Sequence, residues 1–111
     1  MGESLKAAFG GLKAAVFERS FRIMAIVAVL VIIAMLYYPT SRLEKVLLLA
    51  AILAVLVLEL VNSTIERIMN IVNPEYSEQV RAVKDLMAAI VLLASIGAAI
   101  IGLIIFLPYI V

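Results

Sequence analysis

The chain contains no cysteine, no histidine and no tryptophan. Without cysteine there is no disulfide framework, no thiolate nucleophile and no cysteine-ligated zinc. Without histidine, every catalytic scheme that needs an imidazole is excluded, as are most transition-metal sites. Charge is scarce as well: 15% of the 111 residues are charged and the net charge is +1. That balance gives no field for gripping nucleic acid. Any chemistry must therefore run on carboxylates, amides, hydroxyls, lysine and arginine.

What the chain has in excess is apolar surface. Hydrophobic residues make up 67% of it, and its mean hydropathy is +1.24. A soluble domain is less than half apolar and about a quarter charged. A chain this short cannot hide such an excess inside its own core, so a water-soluble monomer is ruled out. The length fits one domain, residues 1–111, with no internal repeat, low-complexity tract or flexible linker.

Residues 23–38 are unbroken apolar and end at Pro39, with Tyr37 and Tyr38 at the boundary, where aromatic rings often mark a membrane interface. Residues 46–58 are apolar and are then interrupted by Glu59, Asn62 and Glu66. Residues 86–107 are almost uniformly apolar and cover roughly 33 Å as a helix, enough for a bilayer core. The pattern predicts an all-α integral membrane protein with three transmembrane helices, over about residues 22–38, 43–70 and 74–107. Before them, Leu5, Phe9, Leu12 and Val16 recur at helical spacing, with Lys6 and Lys13 elsewhere on the wheel. This predicts an amphipathic helix over about residues 3–20, lying on the membrane surface or packed on the bundle.

Lys6, Lys13, Arg19 and Arg22 precede the first span, and Arg67, Arg81 and Lys84 lie between the second and third. The loop after the first span has only Arg42 and Lys45. The positive-inside rule therefore puts the N-terminus and second loop in the cytoplasm. Ser41-Arg42-Leu43-Glu44 reads as a capping box that starts the second helix. Asn73-Pro74-Glu75 reads as the start of the third, whose first turns then stand in the cytoplasm.

Ionisable residues inside a span are costly, about 2.5–3.5 kcal/mol each at the bilayer centre. Glu59, Asn62 and Glu66 nonetheless share one helical face, which Asn70 extends. Helical rise places Glu59 roughly 10 Å below the cytoplasmic surface and Glu66 near the headgroups. One reading makes them interhelical glue; the other makes them a site. Either way three spans cannot wrap such a face alone, which implies a homo-oligomer. Glu18 and Arg22 stand just before the first span, and Glu75, Glu78, Arg81, Lys84 and Asp85 precede the third. The last group also reads as a solvated helix face with Glu78–Arg81 and Arg81–Asp85 pairs. Asn62-Ser63-Thr64 fits a glycosylation pattern but lies on a helix at the cytoplasmic end of a span. Neither a phosphate loop nor a G-x-S-x-G elbow occurs.

The run Glu59-Leu60-Val61-Asn62-Ser63-Thr64-Ile65-Glu66, followed by Lys84-Asp85, closely resembles the signature of the prokaryotic diacylglycerol kinase family, which includes the undecaprenol kinases. Gly11-Leu12-Lys13-Ala14-Ala15 and Glu18-Arg19-Ser20-Phe21-Arg22 resemble the family's N-terminal surface helix and the acid that follows it. The likeness runs from about Lys6 to Pro108. It implies a homotrimeric bundle in the bacterial inner membrane, with composite active sites on the cytoplasmic side. There phosphate passes from MgATP to diacylglycerol or undecaprenol. Carried over by position, Glu59 is implied as general base and Asn62 as its support. Glu18 and Glu66 are implied as ligands of Mg²⁺, and Glu75, Tyr76, Lys84, Asp85 and Arg22 as nucleotide contacts. The chain departs from the family at Asn70, where Asp is usual, at Ser77, often His, and at Val83, commonly Ala.

The depths agree with these roles. Phosphoryl transfer asks for positioning and charge stabilisation rather than a covalent nucleophile. Glu59 lies at the level of a lipid hydroxyl, and Glu18 and Glu66 are hard oxygen donors at the water boundary. A proton- or cation-coupled transporter using buried Glu59 accounts for that residue but gives no role to Glu18, Lys84 and Asp85. A catalytically degenerate family member is a further reading, given Asn70.

Overall fold

A computed structural model describes residues 1–72 and 77–111. The described residues form four helices: α1 Gly2–Val16, α2 Arg19–Tyr37, α3 Arg42–Val72 and α4 Glu78–Ile110. There is no strand among the described residues. Long apolar runs without breakers leave the helix as the structure that satisfies every backbone group within one segment, as a bilayer requires. The last three helices are long and apolar enough to cross a membrane, about 28, 46 and 50 Å by helical rise. The protein is a multi-pass membrane protein with a short helix ahead of its spans.

The ends of the helices follow from local chemistry. Pro39 forces the residue before it out of the helical region, and Tyr38 is extended, at φ −85° and ψ 153°. The capping box is formed reciprocally. The Ser41 amide donates to Glu44 Oε1 at 2.8 Å, and the Glu44 amide donates to Ser41 Oγ at 3.1 Å. The expected start at Asn73-Pro74 lies outside the described residues. Ser77 caps α4, its Oγ accepting from the Val80 amide at 3.2 Å. Helix α4 also runs through Pro108 to Ile110. Proline that late removes only its own N–H, and the Val111 amide still reaches the Leu107 carbonyl at 3.0 Å.

Helix α1 is shorter than the expected range of about 3–20. It ends at Val16, and a turn at Phe17 and Glu18 hands Arg19 and Ser20 to α2. Its stripe of Leu5, Phe9, Leu12 and Val16 stays exposed, while Ala15 makes the buried contact. Leu12 lines a groove against α3, while the exposure of the stripe as a whole suits a helix lying on a membrane surface.

Helix α3 is the spine, packing chiefly on α4 and less extensively on α2. The result is a slab of 51 × 38 × 20 Å. Only 11–17% of each apolar spanning window is buried within the chain, so lipid or further copies must cover the rest. The tightest packing lies at the Tyr38 end, where Met35, Leu48 and Ile105 are buried together beneath Phe106 and Tyr109. There Tyr38 stacks on Tyr109 with centroids 5.9 Å apart, and the Tyr109 hydroxyl donates to Glu44. Thr40 Oγ1 donates to the Met35 carbonyl at 2.8 Å, and Lys45 Nζ donates to the Thr40 carbonyl at 3.0 Å.

Candidate active site

The opposite end carries the carboxylates. The α1–α2 turn leaves Glu18 extended at the N-cap of α2, yet its side chain makes no cap bond. It reaches across to α3 instead. The Ser63 hydroxyl donates to Oε2, and Arg67 donates to Oε1 at 2.8 Å. The Ser63 hydrogen bond, aided by the Arg67 charge and opposed by partial burial, holds the Glu18 carboxyl below its ordinary value of 4.5.

Two residues further on, Ser20 Oγ donates to Glu59 Oε1 at 2.7 Å. Glu59 is only 3% exposed. A carboxylate buried that deeply needs a hydrogen-bond partner to offset its lost hydration, and Ser20 supplies one. Glu18 and Glu66 line one open cavity of about 530 Å³, together with Arg19, Ser20 and Ile23. A second groove, of about 480 Å³, runs between α1 and α3 and has Glu18, Ser63 and Arg67 on its walls. Glu18 is common to both. The sequence-level candidates Glu18, Glu59 and Glu66 thus gather around the start of α2, with Glu59 buried and Glu66 exposed.

The remaining candidates are more dispersed. Asn62 is half-buried and Arg22 exposed. Lys84 Nζ donates to Asn70 Oδ1 at 3.4 Å, joining α4 to α3. Asp85 pairs with Arg81 at 3.8 Å, both side chains largely exposed. Neither Lys84 nor Asp85 lines either cavity. Glu75 and Tyr76 lie outside the described residues. Ser20, Ser63 and Arg67 were not among the candidates. Their signal was the spacing Glu59, Ser63, Arg67, one turn apart on a face adjoining the Glu59–Glu66 stripe.

Residues 6–106 match the family described as prokaryotic diacylglycerol kinase. The diacylglycerol kinase of Escherichia coli strain K12 is 32% identical over 91 residues, which span 81% of this chain and 75% of the relative. That of Shigella flexneri matches to the same extent. This chain belongs to the prokaryotic diacylglycerol kinase family. Membership supports a lipid kinase, and it accounts for an acid-lined site at the mouth of a small helical bundle. Among the described residues of this family member, no three acidic side chains stand close enough together to hold a metal ion. The pair Glu18 and Glu66 nevertheless fits Mg²⁺, which is usually held by one or two carboxylates while substrate phosphates and water complete its shell.

Proposed function

We propose that the protein transfers the γ-phosphate of MgATP to the hydroxyl of a membrane lipid alcohol, diacylglycerol or undecaprenol. The observation that carries this reading is the pairing of a buried, hydrogen-bonded Glu59 with an adjacent open cavity lined by Glu18 and Glu66. Glu59 acts as general base. Ser20 occupies Oε1, and Oε2 is offered to the acceptor hydroxyl. As that oxygen bonds to the γ-phosphorus, the bond to the β-phosphate oxygen breaks, ADP leaves, and the hydroxyl proton passes to Glu59. Asn62, three residues along the same face, supports the base.

Glu18 and Glu66 would hold the magnesium that arrives with the nucleotide, which would supply charge neutralisation for phosphoryl transfer. Arg22, Glu75, Tyr76, Lys84 and Asp85 hold the nucleotide. Within one chain, α4 lines neither cavity, which supports a homotrimer whose sites are completed by α4 of a neighbouring copy. The bilayer concentrates and orients the acceptor, so the protein needs no large lipid-binding domain. The reading places the protein in the bacterial inner membrane, with the N-terminus and the site in the cytoplasm.

The test is phosphate transfer from labelled ATP in mixed micelles, with diacylglycerol and undecaprenol offered side by side. Labelled product from one lipid, lost in Glu59→Gln while nucleotide binding persists, is the expected result. Unchanged turnover in Glu59→Gln removes it as the base, and no product from either lipid with folded protein refutes the kinase reading.

A further inference from the structure

We infer that Arg67 binds the phosphates of the nucleotide and that Glu18 is only its resting partner in the nucleotide-free protein. The inference rests on the kinase reading above. Arg67 follows Glu66 directly on α3, and its guanidinium lies 2.8 Å from Glu18 Oε1 while the side chain remains 61% exposed. Ser63 holds the other Glu18 oxygen. Both oxygens of a proposed metal ligand are therefore engaged by protein donors, one of them a full positive charge. Mg²⁺ cannot share Oε1 with a guanidinium without strong repulsion, so metal entry must release Arg67. The Ser63 bond can stay, because each carboxylate oxygen accepts more than once.

Charge decides where the released guanidinium goes. Glu18 and Glu66 line one cavity, and MgATP remains an anion after the metal is counted. Bringing it against two carboxylates is unfavourable unless nearby cations offset them. Lys84 rests on Asn70, whereas Arg67 is already beside Glu18. Glu18 forms a wall of both cavities, with Arg67 on one side and Glu66 on the other. A phosphate held beside Glu18 would thus lie within reach of Arg67. Its planar fork of donors matches two phosphate oxygens at once. An exposed ion pair contributes little to stability, so the exchange from carboxylate to phosphate disturbs the fold little. In the free protein the arginine stands in for the metal; in the complex it holds the anion that the metal brings.

The experiment measures two equilibria on the full chain in detergent micelles. One is binding of a non-hydrolysable ATP analogue with Mg²⁺, and the other is binding of Mn²⁺ alone by electron paramagnetic resonance. In Arg67→Gln the nucleotide should bind about tenfold more weakly, the loss expected for one charge-assisted contact. Mn²⁺ alone should bind more tightly, because its internal competitor is gone. Arg67→Lys should fall between wild type and Arg67→Gln for the nucleotide; if Arg67→Gln fails to fold, Arg67→Lys binding nucleotide as tightly as wild type overturns the inference. Unchanged nucleotide affinity in Arg67→Gln, or weaker Mn²⁺ binding, also overturns it. Arg19→Gln removes a charge from the cavity that Glu18 and Glu66 line, and equal effects there would reduce the result to general loss of positive charge and overturn the assignment. If wild type makes phosphorylated lipid but Arg67→Gln binds as wild type, only this inference falls. If wild type binds no nucleotide, the kinase reading falls and takes the inference with it.

Discussion

Ser20→Ala isolates the contact that positions the proposed base. The Ser20 hydroxyl lies 2.7 Å from Glu59 Oε1, and Glu59 is 3% exposed. A hydrogen bond to a charged group contributes about 1.5–3 kcal/mol, which corresponds to about 10- to 150-fold in a rate constant. Ser20 is itself exposed, so water can reach the vacated position and the lower end of that range, about tenfold, is expected. The loss should fall on kcat for lipid phosphorylation, with the KM for MgATP little changed, because Ser20 touches the base directly. Ser20→Thr keeps the hydroxyl and should retain most of the activity. Circular dichroism in the same micelles checks that the helices survive. Wild-type kcat in Ser20→Ala, with Glu59→Gln inactive, would refute the idea that this bond orients the base.

Glu66→Gln should raise the Mg²⁺ concentration needed for half-maximal activity or eliminate activity, and an unchanged metal dependence would count against ligation. The depressed Glu18 ionisation sets a pH window for the α1–α3 contact. Its stabilising contribution is fully present above the unfolded value of 4.5 and is lost only as the pH falls through the lower folded value. Spin labels on cysteines placed at Ala8 and Thr64, which line the same groove, should therefore keep a constant separation down to pH 4.5, and an earlier change assigns the contact to something else. Tyr109→Phe removes the hydroxyl bonded to Glu44 and should lower the thermal unfolding midpoint. Thermal unfolding in micelles measures this, and an unchanged midpoint would mean that the ring stack alone holds that end.

The three spans were legible because their signal is one-dimensional: a run of apolar residues either is or is not long enough. The capping box at Ser41 and Glu44 was legible for the same reason, since both partners lie within one turn. The contacts that build the site are different in kind. Ser20 meets Glu59, Ser63 meets Glu18 and Arg67 meets Glu18 at separations of 39, 45 and 49 residues. Periodicity says which residues share a face of α3, but not which neighbouring helix that face meets. Arg67 therefore reads from sequence only as a topology marker. The expected range of α1, about 3–20, ran past the end of its own apolar stripe at Val16, and the chain turns at Phe17 and Glu18 to enter the span.

The Tyr38 end is fastened by stacked rings, a capping box and a buried apolar cluster, while the carboxylates lie far along the same helices. The two ends are therefore coupled through the helices that join them. Over a lever arm of about 30 Å, the length of a twenty-residue helix, a rotation of about 5° at the Tyr38 end would move the other end by roughly 2–3 Å. A misplacement of about 1 Å can lower a rate a hundredfold. On the kinase reading, side chains that never approach a phosphate, Tyr109 and Glu44 among them, thus bear on how Glu18, Glu59 and Glu66 are placed.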